Sequence, residues 1–140
     1  MVNWENNGFE IKQFPNANIR AESLYFRRGG TWSDITSGAL SIRYFGEGYL
    51  FSTVGLALFE TNSANGILWI VALLNSCVAN SFLRCLNPTF HSNVGDVAKI
   101  PVIFTSEEII EPLASECVDI SNNDWDAFET SWDFKRHPMV

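Results

Sequence analysis

The chain has 140 residues, of which 46% are hydrophobic, 14% aromatic and only 18% charged. This length and apolar content are enough for one domain with a real hydrophobic core. A formal net charge of −7 would ordinarily exclude a nucleic-acid partner, but the charge is uneven. Acidic and basic residues balance over residues 1–104, whereas residues 105–140 contain nine acidic and two basic side chains. We therefore expect an α+β body at 1–104 and an acidic, tryptophan-containing helical tail at 105–140, packed on that body or on a neighbouring domain.

Membrane insertion and export are not expected. The longest apolar run, Ile67–Leu74, is too short to cross a bilayer, and the N-terminus lacks the basic and apolar regions of a signal peptide. The three cysteines, Cys77, Cys85 and Cys117, form no Cys-x-x-Cys pair and are odd in number, so they are expected to be reduced, buried thiols. These features indicate a cytoplasmic protein with no membrane partner.

The first third of the chain contains short runs that are rich in aromatic and β-branched residues, which predict strands. Residues 9–14 and 23–28 are two such runs, each bounded by Asn, Gly or Pro. In residues 39–45, apolar and polar side chains alternate, as in a strand with one wet face. The Gly-Glu-Gly sequence at 46–48 then predicts a turn into a second strand at 49–54, and hence a β-hairpin.

After Gly66 the apolar spacing changes to three and four residues, which predicts one helix to about Leu86. The Asn-Pro sequence at 87–88 ends this helix, because proline lacks the backbone N–H that a continuing helix needs. Residues 97–104 are strand-like, but Pro101 restricts them to a sheet edge or to an extended connector.

Two capping patterns predict helices at the C-terminus, namely Thr105 with Glu108 and Ser121 with Asp124. Pro112 is expected to kink the first of these helices or to delay its start. The predicted fold class is therefore α+β, with a small mixed or antiparallel sheet, a long central helix and C-terminal helices.

No catalytic or metal site is expected in this chain. Asn87-Pro88-Thr89-Phe90 is similar to the Asn-Pro-Pro-Tyr/Phe loop of amino-methylating enzymes, but no glycine-rich strand-to-helix turn precedes it, so a helix-terminating turn is the preferred interpretation. His91 and His137 are isolated from each other and from cysteine, whereas a metal site needs three or four converging ligands. The serines show no Gly-x-Ser-x-Gly elbow.

The stretch from Arg27 to Asp34 is the most informative for function. It places two guanidinium groups at a strand end, followed by a flexible Gly-Gly and by hydroxyl groups on either side of an indole. Guanidinium, hydroxyl and aromatic groups are those that contact phosphates and base edges, although an ordinary loop with a buried tryptophan is an open alternative. The candidate DNA-contacting residues are Arg27, Arg28, Thr31, Trp32, Ser33 and Arg43, with packing slightly favoured over stacking for Trp32.

Five segments together resemble a known family. They are Gly30–Gly38 with Arg43-Tyr44, Leu74–Asn80, Leu86–Thr89, Val94–Val97 with Ile100-Pro101, and Asp124–Pro138. In these segments the chain resembles the C-terminal half of the PglX-type adenine-specific DNA methyltransferases of BREX phage-defence systems, and of related large type II restriction-modification enzymes. The resemblance covers nearly the whole chain, and its C-terminal Trp-Asp-Phe-Lys-Arg-His-Pro block is the most specific part.

The resemblance implies a target-recognition region that follows a methyltransferase domain, with a layout similar to the specificity domains of type I restriction systems. Met1 and Val140 are then expected to be the limits of a fragment. The catalytic loop and the S-adenosylmethionine site would lie in the missing methyltransferase domain, so no cofactor is expected in this fragment. The parent enzyme would be an S-adenosylmethionine-dependent adenine-specific DNA methyltransferase.

Two hypotheses follow. In the first, this is a non-catalytic fragment of a DNA adenine methyltransferase that helps the parent enzyme to recognise its target in double-stranded DNA. In the second, it is a protein-interaction or structural module, in which Trp125, Phe128 and Trp132 dock on the methyltransferase domain or on another defence-system subunit. The alternative for this aromatic set is that it covers the fragment's own core.

Overall fold

The computed structural model of the chain describes residues 2–51, 55–60 and 66–139. Within these residues it contains five α-helices and three β-strands, with a short 3-10 turn at Glu22–Leu24. In chain order they are α1 (Glu5–Lys12), β1 (Gly29–Ser33), β2 (Arg43–Phe45), β3 (Gly55–Phe59), α2 (Ile67–Asn75), α3 (Cys77–Leu86), α4 (Val94–Val97) and α5 (Glu107–Asp126). The predicted α+β class is confirmed.

The three strands form one antiparallel sheet in the order β2-β1-β3, so β1 is the central strand. Thr31 of β1 is paired with Arg43 of β2 on one side and with Ala57 of β3 on the other. The loop expected from Arg27 to Asp34 is therefore wrong for residues 29–33, because they form the middle strand of the sheet. The predicted hairpin is also wrong in its pairing, since β2 pairs with β1. The second half of that hairpin, 49–54, is not a strand at 49–51, and residues 52–54 lie outside the described residues.

The two glycines at the start of β1 are buried between the neighbouring strands. A Cβ atom on Gly29 would lie 2.5 Å from the Leu58 carbonyl oxygen, and one on Gly30 would lie 2.9 Å from Cγ2 of Ile42. Because real Cβ atoms essentially never come this close to other atoms, β1 can occupy the centre of this sheet only without side chains here. The Gly-Gly pair therefore provides close packing, and the flexibility expected from the sequence is not its role.

The hydrophobic core lies between α2 and one face of the sheet. Trp32 of β1 is buried there with Leu40 and Ile42 of the segment before β2, and with Ile67, Val71 and Leu74 of α2. Leu40 and Ile42 are buried while Ser41 and Arg43 are exposed, so the alternation predicted for 39–45 is confirmed.

The predicted single helix over 66–86 is two helices, α2 and α3, whose axes differ in direction by 67°. Ser76 separates them in an extended conformation, and its Oγ accepts a hydrogen bond from Ala79 N at 3.2 Å as the N-cap of α3. Because of the bend, a different side of α3 faces the core from the one that the spacing predicted. Ala79 and Leu83 are buried, whereas Val78, Phe82 and Leu86 of the predicted apolar face are exposed. The predicted end of this helix at 87–88 is confirmed.

Two asparagines at this bend hold the chain before β2 against the helices. Asn75 Oδ1 accepts from Ile42 N at 2.9 Å, and Asn75 Nδ2 donates to Ile42 O at 2.8 Å. One helical turn later, Asn80 Oδ1 accepts from Leu40 N at 2.8 Å. The amides thereby satisfy backbone groups that no neighbouring strand pairs at these positions. This explains why asparagines interrupt the apolar run.

The long helix α5 packs against the other side of α2. Ala114 is buried in this contact, and a Glu111 carboxylate oxygen accepts from Gly66 N at 2.8 Å. Trp69 of α2 is buried and donates from Nε1 to Thr105 O at 3.0 Å, with its ring 4.8 Å from that of Phe104. The molecule is therefore layered in the order α5, α2, sheet.

Other expectations are corrected. Residues 9–12 lie in α1 and residues 23–26 lie in the 3-10 turn and the turn that follows it, so neither predicted strand is present. Phe26 has a positive φ, which interrupts extended structure in the second segment. Neither capping pattern caps a helix, since Ser106 is at the N-cap of α5 without a side-chain bond and α5 runs through residue 121. The second alternative for 97–104, an extended connector, holds only from residue 101, where 101–106 form neither helix nor strand; Val97 ends α4 and residues 98–100 form a turn. All three cysteines are exposed, not buried.

Within the described residues, no single helix has the length and apolar character to cross a membrane, although the bent pair α2 and α3 meets those two criteria together.

Candidate nucleic-acid interface

The face of the sheet that points away from α2 carries several of the candidate DNA-contacting residues. Because side chains alternate along a strand and paired residues share a face, Thr31, Ser33 and Arg43 leave the sheet on one side, opposite Trp32. We call this side the outer face of the sheet. Thr31 is paired with Arg43 on one side and with the small residue Ala57 on the other. The outer face at this level therefore has small side chains, with the long cationic side chain of Arg43 at its edge.

Arg43 is the most available cation on the outer face. It is exposed, and its guanidinium group has no hydrogen-bond or ion-pair partner within the described ranges. The hydroxyl of Thr31 beside it donates to Leu56 O at 2.8 Å, so this oxygen keeps its acceptor capacity but its proton is used. Ser33, two residues further along β1, is exposed. This arrangement can present five guanidinium donors and two hydroxyl groups to a ligand.

Aromatic rings cover the other end of the outer face, next to Gly29. Phe45 and Phe59 flank this glycine on the two neighbouring strands, and their ring centroids lie 6.0 Å apart in an edge-to-face geometry. Phe51, Tyr25 and Trp4 extend the cluster, with successive centroid separations of 5.0 to 5.1 Å. The cluster attaches α1 to the sheet and leaves the polar end of the outer face to Arg43, Thr31 and Ser33.

The other two candidate arginines lie just before β1. Arg28 forms an ion pair with Glu60, with 2.9 Å between its Nη2 and a carboxylate oxygen. The guanidinium group of Arg27 is exposed and has no partner in the described parts of the chain. Because the Glu60 side chain is only 15% exposed, its carboxylate holds the half-exposed Arg28 in place. Arg28 is therefore less available than Arg43.

Trp32 is a core residue, as the sequence favoured. Its ring is buried and its Nε1 donates to Ser92 O at 2.7 Å. The segment after β1 is bonded further to the segment around His91, because Ser92 N donates to Asp34 O at 2.8 Å and His91 Nδ1 lies 3.2 Å from an Asp34 carboxylate oxygen. These bonds fix the loop that follows Ser33. Trp32 therefore packs in the core and helps to position this region.

The turn after α3 is structural. Asn87 Nδ2 donates to Asp96 at 2.8 Å, and Asn87 Oδ1 accepts from the backbone N–H and hydroxyl of Thr89. Asp96 also accepts from Asn93 at 2.6 Å and from Lys99 at 3.0 Å. These hydrogen bonds, led by those from Asn87 and Lys99, lower the pKa of Asp96 below its ordinary value of 3.8. The amide of Asn87 is thus engaged, which fits a turn and not a loop that grips a target amino group.

One polar group that the sequence did not single out is Arg84. It lies in the last turn of α3, is exposed, and lines a shallow cleft with Asn80, Thr89, His91 and the backbone of Gly38. The one available signal was its spacing of four residues from Asn80, which places both side chains on one side of α3. Among the described residues, no group of three or more His, Cys, Asp or Glu side chains could hold a metal ion.

The acidic helix α5 lies on the other side of α2 from the sheet. It contacts α2, and α2 lies against the core face of the sheet. Two layers therefore separate Arg43 from the acidic side chains of α5, a distance over which salt screens much of the repulsion between tail and ligand. The three aromatic residues Trp125, Phe128 and Trp132 are all exposed, Trp132 to 91%. They do not cover the core, which was the alternative for this set.

Comparison with known proteins supports the resemblance. No family model matches the chain. Its whole length is 38% identical to part of "Adenine-specific methyltransferase BrxX" of Escherichia coli O9:H4 (strain HS), and 33% identical to part of "Adenine-specific methyltransferase PglX" of Lacticaseibacillus casei (strain Zhang). The chain spans only 12% of the length of each relative. Over all of its residues, the chain is therefore similar to one segment of two adenine-specific methyltransferases.

Proposed function

We propose that this chain is a non-catalytic, target-recognition segment of a BREX-type adenine-specific DNA methyltransferase, which we call the parent enzyme. In this proposal the outer face of the sheet contacts double-stranded DNA, and Arg43 reads a base edge or binds a phosphate. The division into a body at 1–104 and an acidic tail at 105–140 is part of the proposal. The body meets the DNA and the tail faces protein.

The proposal is carried by the exposure of Arg43 beside Thr31 and Ser33, on the face turned away from the acidic helix α5. The guanidinium group has no partner among the residues that the structure describes. Arginine forms paired hydrogen bonds to guanine in the major groove, and hydroxyl groups bind either bases or phosphates. The small Ala57 beside Thr31 leaves room for a close approach of the ligand. Similarity of the whole chain to two adenine-specific methyltransferases supports the enzyme class.

The parent enzyme would carry the methyl donor, S-adenosylmethionine, and the catalytic loop elsewhere in its chain. The residues described here have no assigned part in that chemistry. Their proposed contribution is to choose which adenine reaches the active site, in the cytoplasm, where the DNA of the cell and of an infecting phage is found.

Arginine substitutions in the parent enzyme test the proposal, with methylated adenines mapped by sequencing. We expect Arg43→Ala to relax or change the recognised sequence at one base pair, with a loss of discrimination of about 1–3 kcal/mol. Arg20→Ala is the matched control. Arg20 is exposed, its Nε donates to Asn18 Oδ1, and it precedes the first strand in the chain. Unchanged site choice and rate in Arg27→Ala, Arg28→Ala and Arg43→Ala would refute the proposal.

Exposure of the aromatic set supports a second function, protein docking through Trp125, Phe128 and Trp132. A tryptophan that is 91% exposed and flanked by acidic residues suits contact with a basic protein surface. The test is the recovery of the rest of the parent enzyme, expressed separately, on this chain and on its Trp132→Ala variant. We expect lower recovery on the variant, and equal recovery would contradict the docking role.

A further inference from the structure

Helix α5 has a second apolar side in addition to the one that packs on α2. Ile109, Leu113 and Ile120 are each more than half exposed, and Cys117 between them is exposed too. At about 100° per residue these four positions share one side of the helix, away from the buried Ala114. We call Ile109, Leu113, Cys117 and Ile120 the outer stripe.

The outer stripe has acidic neighbours. Glu116 lies three residues after Leu113 and four before Ile120, and Asp124 lies four residues after Ile120, so both carboxylates are adjacent to the stripe on the helix surface. Both residues are exposed. DNA would be repelled by this combination of charge and apolar surface, whereas an apolar protein surface with a basic rim is complementary to it.

A helix that is apolar on two sides is normally buried on both. Only one side of α5 is covered by the described residues, through its contact with α2. The chain spans 12% of the relatives that it matches, so an enzyme of their length has extensive protein surface outside this segment.

We infer that the outer stripe of α5 docks on another part of the parent polypeptide, at an apolar surface rimmed by lysine or arginine. The inference rests on the proposed function in one respect, namely that this chain is a segment of a longer methyltransferase. It assigns to α5 a task separate from DNA contact: holding the recognition sheet in a fixed orientation relative to the rest of the enzyme.

Cys117 provides a natural probe of this docking. In the native parent enzyme we expect a maleimide to label Cys117 at least about tenfold more slowly than in a denatured sample, since the stripe is covered. Leu113→Lys puts a cation against the basic rim and should restore fast labelling. Asn122→Lys adds the same charge to α5 on the side away from the stripe and should leave Cys117 protected.

Raised salt should accelerate labelling in the unsubstituted enzyme, because the rim contact is electrostatic. Fast labelling of Cys117 in the native, unsubstituted enzyme would overturn the inference, as would equal effects of Leu113→Lys and Asn122→Lys. Thiol labelling needs no DNA. Slow labelling of Cys117 together with an unchanged methylation pattern in the arginine variants would therefore uphold the docking and refute only the proposed DNA recognition.

Discussion

Gly29 is the residue on which the geometry of the sheet depends most directly. It sits between Phe45 and Phe59, whose rings meet on its side of the sheet, and any side chain would enter the space of the Leu58 carbonyl oxygen. The Leu58 carbonyl oxygen belongs to the backbone of β3, which is paired with β1, so it cannot move aside without disturbing the pairing of these two strands. The cost of a single methyl group is therefore expected to be large.

We predict that Gly29→Ala lowers the free energy of unfolding by about 1–3 kcal/mol or more, the range for overpacked sites. Gly46→Ala is the control, since a Cβ there meets no atom within 4 Å. Urea denaturation followed by tryptophan fluorescence measures both. Equal stability of the two variants would contradict the strand assignment of 29–33.

Asp96 is a second residue whose contribution to the stability of the fold can be measured. Hydrogen bonds from Asn87 and Lys99 lower its pKa below 3.8, so the folded state releases this proton more readily than the unfolded chain. The resulting stabilisation is complete above pH 3.8 and is lost as the pH falls through the lower pKa of the folded state.

We therefore predict that Asp96→Asn is less stable than the natural chain at pH 7, and that the difference shrinks progressively below pH 3.8. Thermal unfolding between pH 7 and pH 2.5 measures it, with Asp119→Asn of the exposed α5 surface as the control. A difference that stays constant across this range would rule out the proposed network around Asp96.

At the scale of elements, the bend between α2 and α3 shapes the middle of the molecule. A run of apolar residues at helical spacing continues through Ser76, so the pattern alone predicts one helix. At this point the Asn75 side chain makes tertiary hydrogen bonds to the backbone of Ile42, and Ser76 starts a new helix with a local cap on the N–H of Ala79. The partner of Asn75 is 33 residues away in the chain, so a local apolar pattern does not contain it.

We predict that Ser76→Ala costs about 1 kcal/mol of stability, because the N–H of Ala79 loses its capping acceptor. Ser81→Ala within α3 is the control, since its exposed hydroxyl only donates to the Cys77 carbonyl oxygen one turn earlier. The two are compared by urea denaturation. A smaller loss in Ser76→Ala than in Ser81→Ala would show that the cap does not hold the bend.

The elements that the sequence predicted correctly are those whose signal is local and repeated. The alternation over Leu40, Ile42 and Arg43 matches burial, and proline ends α3 where expected. The signals failed where tertiary packing decides the structure. Gly29 and Gly30 are typical of loops, yet close packing makes them the start of the central strand. Residues 9–14 are typical of a strand, yet most of them lie in α1.

Across the whole molecule, the uneven charge of the sequence puts acidic and basic side chains on different surfaces. The acidic helix α5 lies on one side of α2 and the sheet lies on the other, so the exposed Arg43 and the acidic residues point to different surroundings. The candidate DNA-contacting residues stay a prediction, and the structure shows how exposed each of them is. Arg43 has the exposure that a DNA contact requires, Trp32 is in the core, and Arg28 is paired with Glu60. The shared face of Thr31 and Arg43 depends on strand pairing, which the sequence did not indicate.

We propose that this segment helps to determine which adenines its parent enzyme methylates. Exchange of the segment is the test: the 140 residues replace the matching segment of BrxX, and methylated adenines are mapped by sequencing in cells that carry the chimera. We expect an active chimera whose recognised sequence differs from that of BrxX. An active chimera that methylates the BrxX sequence without change would contradict it.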